Sequence, residues 1–199
     1  MTTVPGRWVA PLCLVLAGCY TGSAQTVTAT EIARDPGWLL VPDVPFVGQE
    51  GEHDCGAAAL VMVLRYWDVW VTVQDIAAAF PSSRGRGLTA SELREFAHAR
   101  GLRAFMIHGE PADLRAELER GRPLIVGLAK AHGAQKLAHY EVVVGLHRGR
   151  RRILTLDPAE GWRENTVEGF AEEWAPAQRA ALVIFRAADE PARGKPETN

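Results

Sequence analysis

The chain has 199 residues, with 22 basic and 24 acidic side chains and a formal net charge of -2, a size that suits one domain with short tails. At 47% hydrophobic and 23% charged its composition is globular, and so even a charge balance argues against nucleic acid as a partner. Three cysteines are too few for a disulfide-built scaffold, and the single long apolar run excludes a multispanning membrane protein.

That run is the segment WVAPLCLVLAG, which follows Arg7 and ends just before Cys19. It is too short to cross a bilayer core, which takes about 20 residues, but fits the apolar region of a secretory signal, about 7–15 residues. The step Leu16-Ala17-Gly18-Cys19 resembles the lipobox of bacterial lipoproteins. The resemblance implies that residues 1–18 are a signal peptide and that Cys19 becomes lipidated as the new N-terminus. It also implies a place in the bacterial cell envelope, lipid-anchored outside the cytoplasm. Tyr20, where Asp would stand for inner-membrane retention, points to the periplasmic face of the outer membrane in a Gram-negative cell. Cys13 would leave with the signal, so Cys55 would be the one thiol left free of lipid. Such a thiol is either buried and inert or kept for chemistry.

Residues 19–37, polar and rich in Thr, Ser and Ala, read as a tether, and 38–186 as one domain. Segment 55–67 (CGAAALVMVLRYW) reads as a buried helix starting at Cys55. Residues 73–80 form a short helix behind Thr72 as N-cap. Over 89–100, Thr89 and Glu92 make a capping box and Gly101 a stop. Pro111 opens a helix that ends at Gly121. Strands are expected at 103–107, 123–129, 140–146, 152–156 and 181–186, with a helix at 167–174 before the last. The segments 140–146 and 152–156 read as a hairpin, and the fold class as α+β with a mostly antiparallel sheet. The tail 187–199, with charge, prolines and no periodicity, reads as disordered.

The densest chemical signal is the stretch VPFVGQEGEHDCGAAAL. A thiol at a helix N-terminus meets unpaired N–H groups and the positive end of the helix dipole, both of which favour thiolate. Gln49, six residues before Cys55, can offer a side-chain amide to an oxyanion forming beside the sulfur, together with the N–H of Cys55. The thiolate needs a base, and there are six histidines. His98, His108 and His132 fall at solvated or turn positions. His53, two residues from Cys55, would struggle to aim its ring at the sulfur, and His147 lies by the hairpin turn. His139 opens an apolar strand after a glycine-containing loop. Asp157, 18 residues later at the end of the second hairpin strand, returns beside it and can fix its tautomer. The Arg148–Arg152 cluster reads as a charged turn, with docking of an acidic partner as the alternative.

Gln49, the Asp54-Cys55-Gly56 step, His139-Tyr140 and Asp157-Pro158 together resemble the bacteriocin-processing, double-glycine leader peptidases, cysteine peptidases of the papain-like superfamily. The resemblance spans about residues 41–186. It implies a papain-like fold with Cys55 as nucleophile, His139 as general acid/base, Asp157 as its orienting group and Gln49 in the oxyanion hole. It implies a peptide or protein substrate cut after Gly-Gly-like sites, with no cofactor and no metal. The best-known members are domains of ABC exporters, whereas this chain carries no G-x-x-x-x-G-K-[ST] motif. Its machinery therefore carries over better than its substrate, and any export machinery would be a separate partner. Two alternatives stay open at this level: acyl or peptidyl transfer on the same fold, and a peptide-binding lipoprotein without turnover.

Overall fold

The computed structural model describes residues 23–189 apart from Gly133. The apolar N-terminal segment with Cys19, and residues 190–199, lie outside the described residues. The elements run, in chain order, β1 (Gln25–Thr26), α1 (Ala29–Ala33), β2 (Trp38–Leu40), α2 (Cys55–Tyr66), α3 (Val73–Ala79), α4 (Ala90–Ala99), β3 (Arg103–His108), α5 (Pro111–Glu119), β4 (Leu124–His132), β5 (Gln135–His147), β6 (Arg152–Asp157), β7 (Gly161–Thr166), α6 (Val167–Trp174) and β8 (Ala180–Phe185), with single 3₁₀ turns between some of them. The eight strands form one sheet in the order β1-β7-β6-β5-β4-β8-β3, with β2 on β5. Every pairing is antiparallel, and the fold is α+β, as the sequence indicates.

Local chemistry accounts for the helix starts. Thr72 with Asp75 and Thr89 with Glu92 form reciprocal capping boxes. Each satisfies two otherwise orphaned N–H groups. Gly101 and Gly121 take positive φ just beyond the ends of α4 and α5, the left-handed turn that glycine adopts without a Cβ penalty. Helix α2 is buried from Cys55 to Leu64. Its run of Ala, Leu, Val and Met is apolar on every side because it crosses the centre of the core, packed on β5.

Three stretches differ from the sequence expectation. The expected tether is part of the fold from residue 25: β1 pairs with β7, Thr28 and Glu31 cap α1, and Ile32 and Trp38 are buried. Strand β7 was not anticipated, because its inward residues, Arg163 and Asn165, are polar. They are satisfied by that same N-terminal segment: Arg163 donates to Thr26 Oγ1 at 2.8 Å and to the Ala24 carbonyl at 2.9 Å, and Ser23 hydrogen-bonds Asn165. The glycine-containing loop expected ahead of His139 is instead the end of a long β4–β5 hairpin, with Leu128 opposite His139 and His132 opposite Gln135. His139 therefore sits within β5 rather than at its mouth. The alternation of single apolar residues with Lys, His and Gln reads as a loop, but it is what a ribbon reaching beyond the core requires.

Strand β5 is the spine of the sheet. Its first part pairs with β4, and its last residues, Gly145 to His147, pair with β2. A register shift between Val143 and Gly145 interrupts its ladder with β6. The carbonyl of Val144, displaced there, accepts from the Val41 N–H at 2.8 Å. Among the described residues no helix is long and apolar enough to cross a membrane.

Candidate active site

Cys55 is the first residue of α2, so its sulfur sits at the end of a 12-residue helix where N–H groups lack partners. The segment ahead of it is tied down twice. Asp54 accepts from the Gly51 N–H at 2.8 Å, and the Gln49 N–H donates to the Pro158 carbonyl at 2.9 Å. That second bond joins the loop before the cysteine to the turn after Asp157.

His139 and Asp157 meet from adjacent strands, Nε2 to Oδ1 at 2.7 Å. The same oxygen accepts from the Ala159 N–H at 2.8 Å. Asp157 is buried and His139 nearly so. With Nε2 taken by Asp157, the other side of the imidazole is left for Cys55, which interacts electrostatically with the ring. The structure thus brings Cys55, His139 and Asp157 together from α2, β5 and β6.

The electrostatics follow from this geometry. Burial pushes the Cys55 thiol up, but the hydrogen bond and charge of His139, with the N–H groups of Tyr140 and Gly56, outweigh it and hold the thiol below its usual value. Burial disfavours a charged His139, yet Asp157 and then Cys55 raise it to about 10. Asp157 is lowered to about 2, because His139, the Ala159 N–H and Lys130 together overcome its burial. A thiolate–imidazolium pair is the form these shifts favour near neutrality. It can attack an electrophilic carbonyl carbon and then hand a proton to a leaving amine.

Cys55 and His139 form part of the wall of a cleft of about 370 Å³. Leu88, Met106, Ile125, Leu128 and Leu182 make much of it apolar, and Glu52, His53 and Arg86 bring polar groups to it. The Tyr140 ring lies between Gly56 and Gly127; a Cβ on residue 56 would crowd it, whereas one on residue 127 would make only ordinary contact.

The remaining candidates fall elsewhere. Gln49 is not among the residues lining this cleft. Its amide nitrogen donates to the Gly51 carbonyl at 3.3 Å, while its Oε1 is buried without a hydrogen-bond partner. His53 is exposed on the cleft wall. His98 and His108 are exposed and bond the carbonyls of Leu102 and Gln178. His147 is buried against Trp38 and takes Asp35 as its partner at 3.2 Å. Its Nδ1 accepts from the N–H groups of Gly149 and Arg150. In the turn cluster, Arg150, Arg151 and Arg152 pair within the fold with Asp35, Glu168 and Glu164.

A buried polar group behind the triad escaped sequence reasoning. Lys130 contacts Glu141, lies 3.5 Å from Glu173 and 3.9 Å from Asp157 Oδ2. The signal was a charged residue inside each of two apolar strands. His139, Glu141 and Asp157 also bring one potential metal-ligand atom each within 4.8 Å of one another, but the Lys130 ammonium already supplies positive charge beside both carboxylates.

Comparison with known proteins places this geometry. A search of the curated proteins returned no match. Among solved structures, the chain is similar to a double glycine motif protease from an AMS/PCAT transporter, solved in complex with the leader peptide: 26% identity, TM-score 0.57, covering 71% of this chain and 91% of that one. It is also similar in fold to the peptidase domain of Streptococcus ComA, a bi-functional ABC transporter involved in a quorum sensing pathway, at 23% identity and TM-score 0.60 over 72% of this chain and 99% of that one. A putative C39-like peptidase from Bacillus anthracis shares the fold at 16% identity and TM-score 0.60, over 79% and 99% of the two chains. The fold is papain-like, and residues 43–188, which span every element from α2 to β8, match the Peptidase C39 family. With that match over most of its length, the chain belongs to the peptidase C39 family of cysteine peptidases.

Proposed function

We propose that the protein cleaves peptide substrates outside the cytoplasm while anchored by lipid on Cys19. Cys55 is the nucleophile, His139 the general acid and base, Asp157 the group that orients the imidazole, and Gln49 an oxyanion donor with the Cys55 N–H. The observation that carries this reading is the His139–Asp157 hydrogen bond, with Cys55 on the wall of the same cleft as His139 and close enough to be held below its usual value by that imidazole.

In the first half-reaction the thiolate adds to the scissile carbonyl carbon, and the carbonyl oxygen takes up negative charge. The imidazolium then gives its proton to the leaving nitrogen, the C–N bond breaks, and a thioester on Cys55 remains. In the second, neutral His139 takes a proton from water as the oxygen attacks the thioester. Collapse releases the acid and restores the thiolate–imidazolium pair. Asp157 keeps the ring oriented throughout and stays ionised.

The substrate class is an extended peptide. The leader peptide held by the double glycine motif protease supports that choice, and small Gly-Gly-like residues before the scissile bond are the expected preference. The lipobox-like step at Leu16–Cys19 supports the anchor and a location in the bacterial cell envelope.

The test is labelling with an electrophilic peptide activated at a C-terminal glycine, followed by mapping of the modified residue. Modification at Cys55, lost in Cys55→Ala, is the expected result. Peptide hydrolysis persisting in purified Cys55→Ala would overturn the mechanism. Fractionation of cells and mass measurement of the N-terminal peptide test the anchor separately, with unmodified Cys19 as the refuting outcome.

A further inference from the structure

Behind the imidazole, on the side away from the cleft, three carboxylates gather around one amine. Glu141 lies two residues beyond His139 and so on the same face of β5. Val142 pairs with Leu156, which brings Asp157 on β6 beside Glu141. Lys130 enters from β4 and Glu173 from α6, which packs on β4. Glu141 and Asp157 are 1% and 4% exposed. Two anions so close and so dry cannot both stay ionised without a cation.

The division of Asp157 is specific. Its Oδ1 is filled by His139 and by the Ala159 N–H, whereas its Oδ2 is the oxygen nearer Lys130. We propose that Lys130 is a positioning residue for the Cys55–His139 pair: as the counter-ion of Asp157, it keeps the carboxylate ionised beside Glu141 and aimed at the imidazole. Lys130 is not among the residues lining the cleft, and the proposed route from it to the sulfur runs through Asp157 and His139. The charged or titratable groups around it are Glu141 and His139 on β5, Asp157 on β6 and Glu173 on α6, with Cys55 on α2 beyond the ring. Burial pushes Glu173 up to about 7, so near neutrality it carries only part of a negative charge.

The consequence reaches the sulfur in three steps. Without Lys130, Asp157 binds a proton more readily. A neutral Asp157 no longer holds the imidazolium, and His139 gives up its charge at lower pH. Cys55, without a cation beside it, then ionises only at higher pH.

The inference rests on the Cys55–His139 pairing proposed above, but its readout needs no substrate. The experiment is the rate of Cys55 alkylation by iodoacetamide across pH, with thiolate absorbance, in wild type, Lys130→Met and Lys130→Met/Glu141→Met. The double variant replaces a buried ion pair by apolar groups of similar volume, a change that buried pairs commonly tolerate. In Lys130→Met the acid limb of alkylation should move up by about one pH unit or more, so that about tenfold less thiolate is present below it; in Lys130→Met/Glu141→Met, where the second anion is gone as well, it should return toward wild type. In peptide turnover the loss should appear in kcat, with KM nearly unchanged. A folded Lys130→Met with the wild-type profile would mean that Lys130 serves Glu141 alone, and would overturn the proposal; should Lys130→Met fail to fold, the neutral but hydrogen-bonding Lys130→Gln carries the same expected shift and the same refuting outcome.

Discussion

The ring of Tyr140 stands where a side chain on residue 56 would begin: a Cβ on Gly56 would lie 3.1 Å from Tyr140 Cδ2. Gly56 is therefore set by close approach rather than by backbone conformation. Its N–H and that of Tyr140 both help to hold the Cys55 thiol below its usual value, so crowding the ring disturbs two of the groups that favour thiolate. Gly56→Ala should fold, helped by the better helix propensity of alanine. Its turnover should fall by about tenfold, since small misplacements at a reacting centre are costly. Steady-state kinetics alongside a thermal melt checks this; wild-type turnover would show that the ring yields freely.

The charges of the pair set a pH window. Cys55 lies below its usual value and His139 at about 10. The thiolate–imidazolium form is thus lost at the acid end as Cys55 gains a proton, and at the alkaline end as His139 loses one near pH 10. The same shifts act on stability. His139, raised from 6.5, contributes fully below 6.5 and loses that contribution as pH rises through about 10. Asp157, lowered from 3.8, contributes above 3.8 and loses it as pH falls through about 2. Alkylation of Cys55 as a function of pH should rise at lower pH than for an ordinary thiol, and a rise no earlier than that of an ordinary thiol would contradict the pair.

Gln49→Ala should lower turnover by about 10²–10³-fold, the usual loss for one oxyanion donor. KM should change little, because such a bond gains most of its strength in the transition state. Only one amide hydrogen of Gln49 is engaged, by the Gly51 carbonyl, and the other is free for this role. Turnover equal to wild type would reduce Gln49 to a loop residue.

His139 and His147 lie on the same strand and do different work. His147→Ala removes the Asp35 contact and the acceptor for Gly149 and Arg150. It should cost about 1–3 kcal/mol of stability and leave turnover of the folded protein intact. Gly37→Ala should act on the same latch, since its Cβ would fall 2.4 Å from His147 Nε2. His139→Ala should abolish turnover, and it should also cost stability by leaving buried Asp157 without its partner. Denaturant melts paired with kinetics separate the two, and loss of activity in folded His147→Ala would reverse the assignment.

Legibility in the sequence tracked how each part is held together. Helices α3, α4 and α5 carry start or stop signals locally, in Thr72, Thr89, Gly101 and Pro111. The pairing of β5 with β6, and with it the approach of His139 and Asp157, follows from an apolar run, a basic turn and a second apolar run. Strand β7 and the segment before it were hidden because each satisfies the other's polar groups: Arg163 is meaningful only once Thr26 and Ala24 lie against it. Lys130 and Glu141 were hidden for the same reason. A buried ion pair joins two strands that are legible separately, and neither residue alone announces its partner.

The sheet order has a mechanical consequence. The described chain begins at β1, on one extreme of the sheet, whereas the cleft takes its strand residues from β5, β4, β8 and β3 toward the other. Between them stand β7 and β6, which contribute nothing to the cleft wall. Tension applied ahead of Ser23 would load the short β1–β7 pairing and the Arg163 bonds first, and could peel that border away while the strands beside Cys55 keep their register. Whatever holds the protein by its leading end would hold it by the rim farthest from its mouth, which stays turned to whatever diffuses past.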